Sequence, residues 1–215
     1  MSSLSKWGGA SALAIAASYI FGFAMFLGVI DRTGYERGAG DIAFVIDQHA
    51  MMSLALIVLY PLAASALCIL VVALRRAVPD SGWGEVAAIF GGIWAALLFA
   101  SGFVGLSGMQ AVVSLADDAP DMAQSTWAAV ATIQDALGGG IELVGGIWMA
   151  LVSWMTMRSG IVPRALAWTG MFFGAVGCAT VIPDFGDLVD IFGLGQILWF
   201  SWIGVVLLRA PSKTI

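Results

Sequence analysis

The chain has 215 residues, of which 60% are hydrophobic and 11% carry charged side chains. Soluble domains have about 25% charged residues, so this composition and the mean hydropathy of +0.97 exclude an ordinary water-soluble fold. The formal net charge of -5 also argues against nucleic acid as a partner, because phosphate binding requires a basic surface.

Six apolar runs predict six transmembrane helices, because about 20 residues of helix cross about 30 Å of hydrocarbon. The runs cover residues 10–30, 52–74, 86–108, 137–157, 165–182 and 191–208. The connections between them are too short for a second folded unit, so residues 1–215 are predicted to form a single all-α bundle in a lipid bilayer. The first run follows one basic residue, Lys6, and lacks a small-residue cleavage pattern, which predicts a retained anchor.

The charged residues predict that both termini are cytoplasmic. Of the nine Lys and Arg residues, only Arg32 and Arg37 then lie outside, in agreement with the excess of basic residues in cytoplasmic loops. The inner basic residues are Lys6, Arg75, Arg76, Arg158, Arg164, Arg209 and Lys213. The outer loops carry the acidic residues Asp31, Glu36, Asp41, Asp47, Asp117, Asp118, Asp121, Asp184, Asp187 and Asp190. Such a face favours cations at the outer surface, whereas the simpler interpretation is that aspartates solvate short loops.

The segment between the first two runs holds the only histidine. Residues 42–46, IAFVI, are too short to cross a bilayer and predict either an interfacial helix or an outward extension of the second span. His49 follows, and one histidine cannot supply the ligands of a two-histidine haem or of a typical zinc site. We expect His49 either to titrate in a small site with Asp47 or to form a local hydrogen bond, and no cofactor is identified.

The second span contains a proline in its interior. Pro61 follows Tyr60 and predicts a kink, because proline lacks the backbone donor that the helix needs. Kinks in membrane bundles either open cavities or only adjust packing.

A short pattern occurs in both the third and the fourth span. Residues 91–97 read GGIWAAL and residues 145–151 read GGIWMAL. The two spans run in opposite directions, so the pattern does not fit a simple inverted repeat of the transporter kind. Paired small residues let helix backbones approach closely in lipid, which predicts a contact between these spans. The residues assigned to that contact are Gly91, Gly92, Trp94, Gly145, Gly146 and Trp148.

The C-terminal half contains the most distinctive motifs. Residues 138–177 read GGGIELVGGIWMALVSWMTMRSGIVPRALAWTGMFFGAVG, and residues 199–209 read WFSWIGVVLLR. The glycine run with its acid, the tryptophan-rich helix, the RSG and PR turn and the small-residue fifth helix resemble an uncharacterised bacterial family of six-span membrane proteins, a domain of unknown function. The resemblance implies a multi-pass protein of the bacterial inner (cytoplasmic) membrane and implies no mechanism.

Glu142 is an acid inside a predicted span, roughly 7 Å below its outer boundary. Asp135 lies seven residues earlier on nearly the same helical face, next to Gln134. A carboxyl group facing lipid costs about 2.5 to 3.5 kcal/mol at the bilayer centre, so Glu142 is expected to face the bundle. Either it binds a ligand or exchanges protons in an outward-facing pocket, or it donates a hydrogen bond that stabilises an irregular helix at residues 138–140.

Two function classes fit these observations. The first is a protein that binds or transports a small molecule or cation through an outward-facing, acid-lined pocket, and the sequence slightly favours it. Its candidate residues are His49, Tyr60, Gln134, Asp135, Glu142 and Gln196. The second is a non-catalytic accessory or structural subunit, packed against a membrane protein partner or a second copy.

An enzyme is disfavoured by the motifs. The chain has no nucleophile elbow, no P-loop and no dinucleotide fingerprint. An acid and base pair of Asp135 and Glu142 keeps the question open, and we assign no catalytic or metal-binding residue.

Overall fold

The computed structural model describes residues 3–30, 41–79, 82–185 and 188–209, and every regular element within these ranges is helical. The long helices are α1 (Ser3–Gly28), α2 (Ile42–Ala77), α3 (Gly82–Leu115), α4 (Pro120–Arg158), α5 (Arg164–Ala179) and α6 (Leu188–Arg209). Within α2, the π-helical turn Val58–Leu62 separates two α-helical parts, Ile42–Ile57 and Ala63–Ala77. A short 3-10 turn, Pro183–Phe185, precedes α6. The all-α class expected from composition is therefore confirmed for the described residues.

Five of the helices, α1 to α4 and α6, are long and apolar enough to cross a membrane. The protein thus has the helices of a multi-pass membrane protein. Helix α5 covers most of the predicted span 165–182 but has only 16 residues, or about 24 Å of helix.

Three helices continue well beyond the predicted spans. Helix α3 has 34 residues and α4 has 39, whereas about 20 suffice to cross the hydrocarbon. Residues 42–46 belong to the beginning of α2, so they extend the second span rather than form a separate interfacial helix. Asp41 caps this helix by accepting a hydrogen bond from the Phe44 backbone nitrogen at 3.1 Å, and Pro120 occupies the first turn of α4.

The extended helix segments share a hydrophobic core of their own. Its buried residues come from the end of α1, the beginning of α2, the end of α3 and the beginning of α4. They are Met25, Ile30, Phe44, Val45, Met52, Ala55, Met109, Val112, Ala123, Trp127 and Val130. The region between the third and fourth predicted spans is therefore a packed helical hairpin.

Helices α3 and α4 form the most extensive contact of the bundle, and glycine and tryptophan interlock reciprocally across it. A Cβ atom on Gly91 would lie 2.6 Å from Trp148 Nε1, and one on Gly145 would lie 2.7 Å from Trp94 Cε2. The two indole rings are fully buried, with centroids 5.5 Å apart. Each glycine thus provides the space that the tryptophan of the other helix fills.

The second glycine of each GGIW pattern lies outside this contact. Gly146 packs on α5 instead, where its Cβ position is 2.6 Å from the Gly174 carbonyl oxygen. Gly92 has no atom of the described residues within 4 Å of its Cβ position. The reason is geometric: adjacent helix positions point about 100° apart, so both glycines of a pair cannot face the same neighbour.

Neighbouring helices run in opposite directions, which places all described Lys and Arg residues at one end of the bundle. There, Gly8 of α1 contacts Ala73 of α2 and Leu207 of α6, and Trp83 of α3 packs edge-on against Trp154 of α4 with centroids 6.1 Å apart. This basic end carries Lys6, Arg75, Arg76, Arg158, Arg164 and Arg209. The opposite, acidic end carries Asp41, Asp47, Asp117, Asp118, Asp121, Asp135, Asp184 and Asp190.

Candidate functional site

The π-helical turn of α2 shapes the centre of the candidate site. Pro61 has no backbone N–H, and a π turn is one of the ways in which a helix accommodates this loss. Two glycines make room for the widened turn: a Cβ on Gly22 of α1 would lie 2.8 Å from Leu59 Cγ, and one on Gly102 of α3 would lie 2.5 Å from Tyr60 Cβ. Leu59 and Tyr60 are therefore held between α1 and α3.

A cavity of about 170 Å³ lies beside this turn, and five helices contribute to its wall. An engineered cavity of about 150 Å³ holds a benzene molecule, so this cavity has room for a molecule slightly larger than benzene. Its polar lining residues are Tyr19, Tyr60, Glu142 and Gln196. Its other lining residues are Phe23, Leu59, Leu98, Ile141, Val189, Phe192 and Gly193.

The polar side chains of the cavity come from four different helices. Tyr19 of α1, Tyr60 of α2 and Glu142 of α4 face the same space. Gln196 of α6 is only 5% exposed. These groups line one space, and the other buried polar side chains of the described residues are hydroxyls elsewhere in the bundle: Ser11, Ser18, Ser101, Ser153 and Thr156.

Close packing against Phe200 of α6 and against helix α5 holds these polar residues in place. The ring of Tyr19 packs against Phe200, with centroids 6.3 Å apart. Phe200 in turn stacks on Trp94 and Trp148, the two rings of the α3–α4 contact. Helix α5 packs on the backbone of Glu142, because a Cβ on Gly177 would lie 2.9 Å from the Glu142 carbonyl oxygen. The side chain of Glu142 is thus presented to the cavity by a tightly packed backbone.

The cavity reaches the molecular surface between α1 and α6, toward the acidic end. Two of its lining residues are exposed there, Phe23 by 36% and Val189 by 42%. Val189 is at the beginning of α6, and Phe23 Cζ lies 3.9 Å from the Cβ position of Gly193. We call this opening, flanked by Phe23 and Val189, the mouth.

The structure brings together three of the six residues proposed from sequence for a ligand pocket: Glu142, Tyr60 and Gln196. Asp135 is exposed and does not line the cavity. The same seven-residue spacing that places it on the face of Glu142 also moves it about 10 Å along the helix. It lies among the helix extensions instead.

Gln134 and His49 form hydrogen bonds away from the cavity. Gln134 Nε2 donates to the Ser101 carbonyl oxygen at 3.1 Å, which joins α4 to α3. His49 Nδ1 lies 2.8 Å from the Ile46 carbonyl oxygen on the exposed side of α2. The local hydrogen bond was one of the two roles expected for His49.

Tyr19 is the polar residue of the cavity that sequence reasoning missed, together with the apolar lining. The available signal was a phenol hydroxyl in the middle of an otherwise apolar first span. Such a hydroxyl needs a partner in lipid, as the carboxyl group of Glu142 does.

Metal binding has no support in the described part of the chain, where no group of three or more His, Cys, Asp or Glu side chains is placed to hold an ion. The cavity contributes a single carboxyl group.

Comparison of the sequence with family models and curated proteins, and of the fold with solved structures, gives no significant match. The resemblance to a six-span bacterial family therefore stays a prediction. The function is accordingly inferred from the chemistry of the cavity itself.

Proposed function

We propose that this chain is a six-span protein of the bacterial inner membrane that binds or transports a small molecule or cation through the cavity. The observation that carries the proposal is the cluster of Tyr19, Tyr60, Glu142 and Gln196 around one space that reaches the surface. Polar and ionisable groups are expensive inside a membrane bundle and usually mark a ligand or ion pathway. A space lined by apolar walls and a few converging polar groups is also the usual form of a small-molecule site.

The proposed orientation puts the basic end in the cytoplasm, and with it both termini. Three exposed tryptophans support this membrane position, because tryptophan is enriched at the membrane–water interface. Trp7, Trp83 and Trp168 are 64%, 56% and 63% exposed, and each lies near the basic end of its helix. In this orientation the mouth opens toward the outer side, and the helical hairpin of α3 and α4 projects beyond the outer surface.

The course of the chain supports the proposed sixth crossing. Helix α5 begins at the basic end and α6 finishes there, so the chain between them must reach the acidic end. A span as short as α5 is accommodated by local thinning of the bilayer or by residues beyond the helix.

A labelling experiment tests the orientation. In a background without Cys68 and Cys178, we expect Asp118→Cys to react with a membrane-impermeant thiol reagent added to intact cells. Ser159→Cys should react only after the cells are opened. Both positions are exposed, at opposite ends of α4. The reverse pattern would show that the basic end faces outward.

A substitution that fills the cavity tests the function. Only Phe23 Cζ, among the described residues, lies within 4 Å of the Gly193 Cβ position, so Gly193→Leu should enter the cavity without a backbone clash. The helix should tolerate the change, since leucine has a higher helix propensity than glycine. We expect the purified variant to unfold at or above the wild-type temperature, and every compound that stabilises the wild type through the cavity to lose its effect.

The control for this experiment is Gly92→Leu, which also places leucine at an open glycine but away from the cavity. It should keep the full response in a thermal-shift screen of inorganic cations, amines, alcohols and amphiphiles. A wild-type protein that responds to none of them, or a response that survives Gly193→Leu, would contradict the proposal. An unresponsive wild type would favour the accessory-subunit class.

A further inference from the structure

We infer that the ligand of the cavity is a small organic ammonium ion, a compact amine or quaternary amine, which enters through the mouth. The inference rests on the proposed function and adds the chemical class of the ligand. It follows from the charge, the aromatic character and the size of the cavity, taken together.

The charge of the lining selects a cation over an anion. Among the described residues that line the cavity, Glu142 is the only one with a carboxyl group, and none is Lys, Arg or His. A bound anion would therefore lie in an apolar space beside a carboxyl group, and no positive charge in the lining would offset the free energy that the anion loses on leaving water. A cation beside a carboxylate offsets part of its own cost of leaving water.

The rings around the cavity select an organic cation over a bare metal ion. Tyr19, Phe23, Tyr60 and Phe192 all line the space, and a set of aromatic rings is a recurring way to bind ammonium groups. Calcium and magnesium prefer a shell of oxygen ligands, whereas the polar side chains of the described lining are one carboxyl group, one amide and two phenols among apolar walls. The apolar walls at Leu59 and Leu98 suit the alkyl groups of an organic cation.

The size of the cavity limits the ligand. A space of about 170 Å³ is only slightly larger than a cavity of about 150 Å³ that holds benzene. It is smaller than the sites of roughly 300 to 1,000 Å³ that hold drug-sized molecules. A compact ammonium ion fits, whereas a cation with several long alkyl chains does not.

Three probes test charge and size separately. Tetramethylammonium is the expected ligand analogue, tert-butanol is a neutral molecule of nearly the same shape, and tetrabutylammonium carries the same charge but is too large. Binding is measured by isothermal titration calorimetry on the protein in lipid nanodiscs. We expect tetramethylammonium to bind about tenfold or more tightly than tert-butanol. Tetrabutylammonium should not bind, and Gly193→Leu should abolish tetramethylammonium binding.

The aromatic contribution is tested with a matched pair of variants. Phe23→Leu keeps an apolar side chain at the mouth but removes the ring, and should weaken tetramethylammonium binding by roughly two- to fivefold. Phe103→Leu makes the same change at a 55% exposed position of α3 that does not line the cavity. Tetramethylammonium binding to this variant should equal that of the wild type.

The outcomes separate this inference from the proposed function. If tert-butanol binds as tightly as tetramethylammonium and Gly193→Leu abolishes both, the cavity is a binding site and the ammonium class is wrong. The inference is also wrong if tetrabutylammonium binds equally well, if the two phenylalanine variants weaken binding equally, or if tetramethylammonium does not bind at all. The proposed function fails only if no compound in the broader screen acts through the cavity.

Discussion

Gly145→Leu is expected to destabilise the protein by about 3 kcal/mol, the upper part of the usual range for an overpacked core. A Cβ on Gly145 would already lie 2.7 and 2.9 Å from two ring atoms of Trp94, and that indole is fully buried between α3, α4 and α6. The ring has no free space into which to move, so α3 and α4 must separate. In a thermal melt of the detergent-solubilised protein, this should lower the midpoint by roughly 6 to 12 °C.

Gly92→Leu is the matched control, because it introduces the same side chain at the second glycine of the other GGIW pattern, where the space is open. Its melting temperature should stay within about 2 °C of the wild type. Equal destabilisation by Gly92→Leu and Gly145→Leu would show that glycine itself, rather than the interlock with tryptophan, is what the helices require.

A double substitution tests the interlock directly. Trp94→Phe removes the ring atoms that the Gly145 Cβ would meet, and it breaks no hydrogen bond, because Trp94 Nε1 has no partner among the described residues. Gly145→Ala should therefore cost less in the Trp94→Phe background than in the wild type, with a coupling of about 1 kcal/mol or more in a double-mutant cycle. Additive effects would contradict the predicted contact.

Glu142→Gln is expected to preserve the fold and to abolish stabilisation by any cationic compound that acts through the cavity. The amide has nearly the shape of the carboxyl group but cannot carry the negative charge. At a ligand concentration 100 times the dissociation constant, the lost stabilisation is about 2.7 kcal/mol. The measurement is the thermal shift of the wild type and the variant with the same compound.

Two further variants separate a ligand role from a structural one. Asp135→Asn changes an exposed carboxyl group on the same helix but outside the cavity, so the ligand-dependent shift should be unchanged. Glu142→Ala should be less stable than Glu142→Gln by about 1 kcal/mol, since the polar lining of the cavity loses a hydrogen-bonding group. If Glu142→Gln retains the full ligand response, or if it destabilises the protein as much as Gly145→Leu, Glu142 is a structural group instead.

Part of the candidate site could be predicted from single residues. A carboxyl group inside an apolar helix stands out because lipid offers no hydrogen-bond partner, which is how Glu142 was identified, and Gln196 was named as a candidate beside it. Pro61 indicated an irregular turn for the same reason, since it lacks a donor, and Tyr60 is part of that turn. Asp135 was included only because seven residues return a helix to the same face. That argument ignores depth along the axis, and the side chain is exposed.

The properties that depend on local composition could be derived from the amino-acid sequence alone. Apolar runs require helices, since a backbone in lipid must form its own hydrogen bonds, and five such helices are present. The distribution of Lys, Arg and Asp also follows directly from the chain, because alternating helices bring every second connection to the same end. The GGIW pattern indicated close approach of two helices and assigned both glycines of each pair to the contact, whereas Gly92 and Gly146 lie outside it.

Which polar residues share a space depends on how the helices pack in the tertiary structure. Tyr19, Tyr60, Glu142 and Gln196 lie far apart along the chain, and they meet because the helices pack closely at glycines such as Gly22, Gly102 and Gly177. The hairpin of α3 and α4 also depends on tertiary packing. Its helices bury apolar residues against the ends of α1 and α2, and that packing depends on partners that no window of the sequence contains.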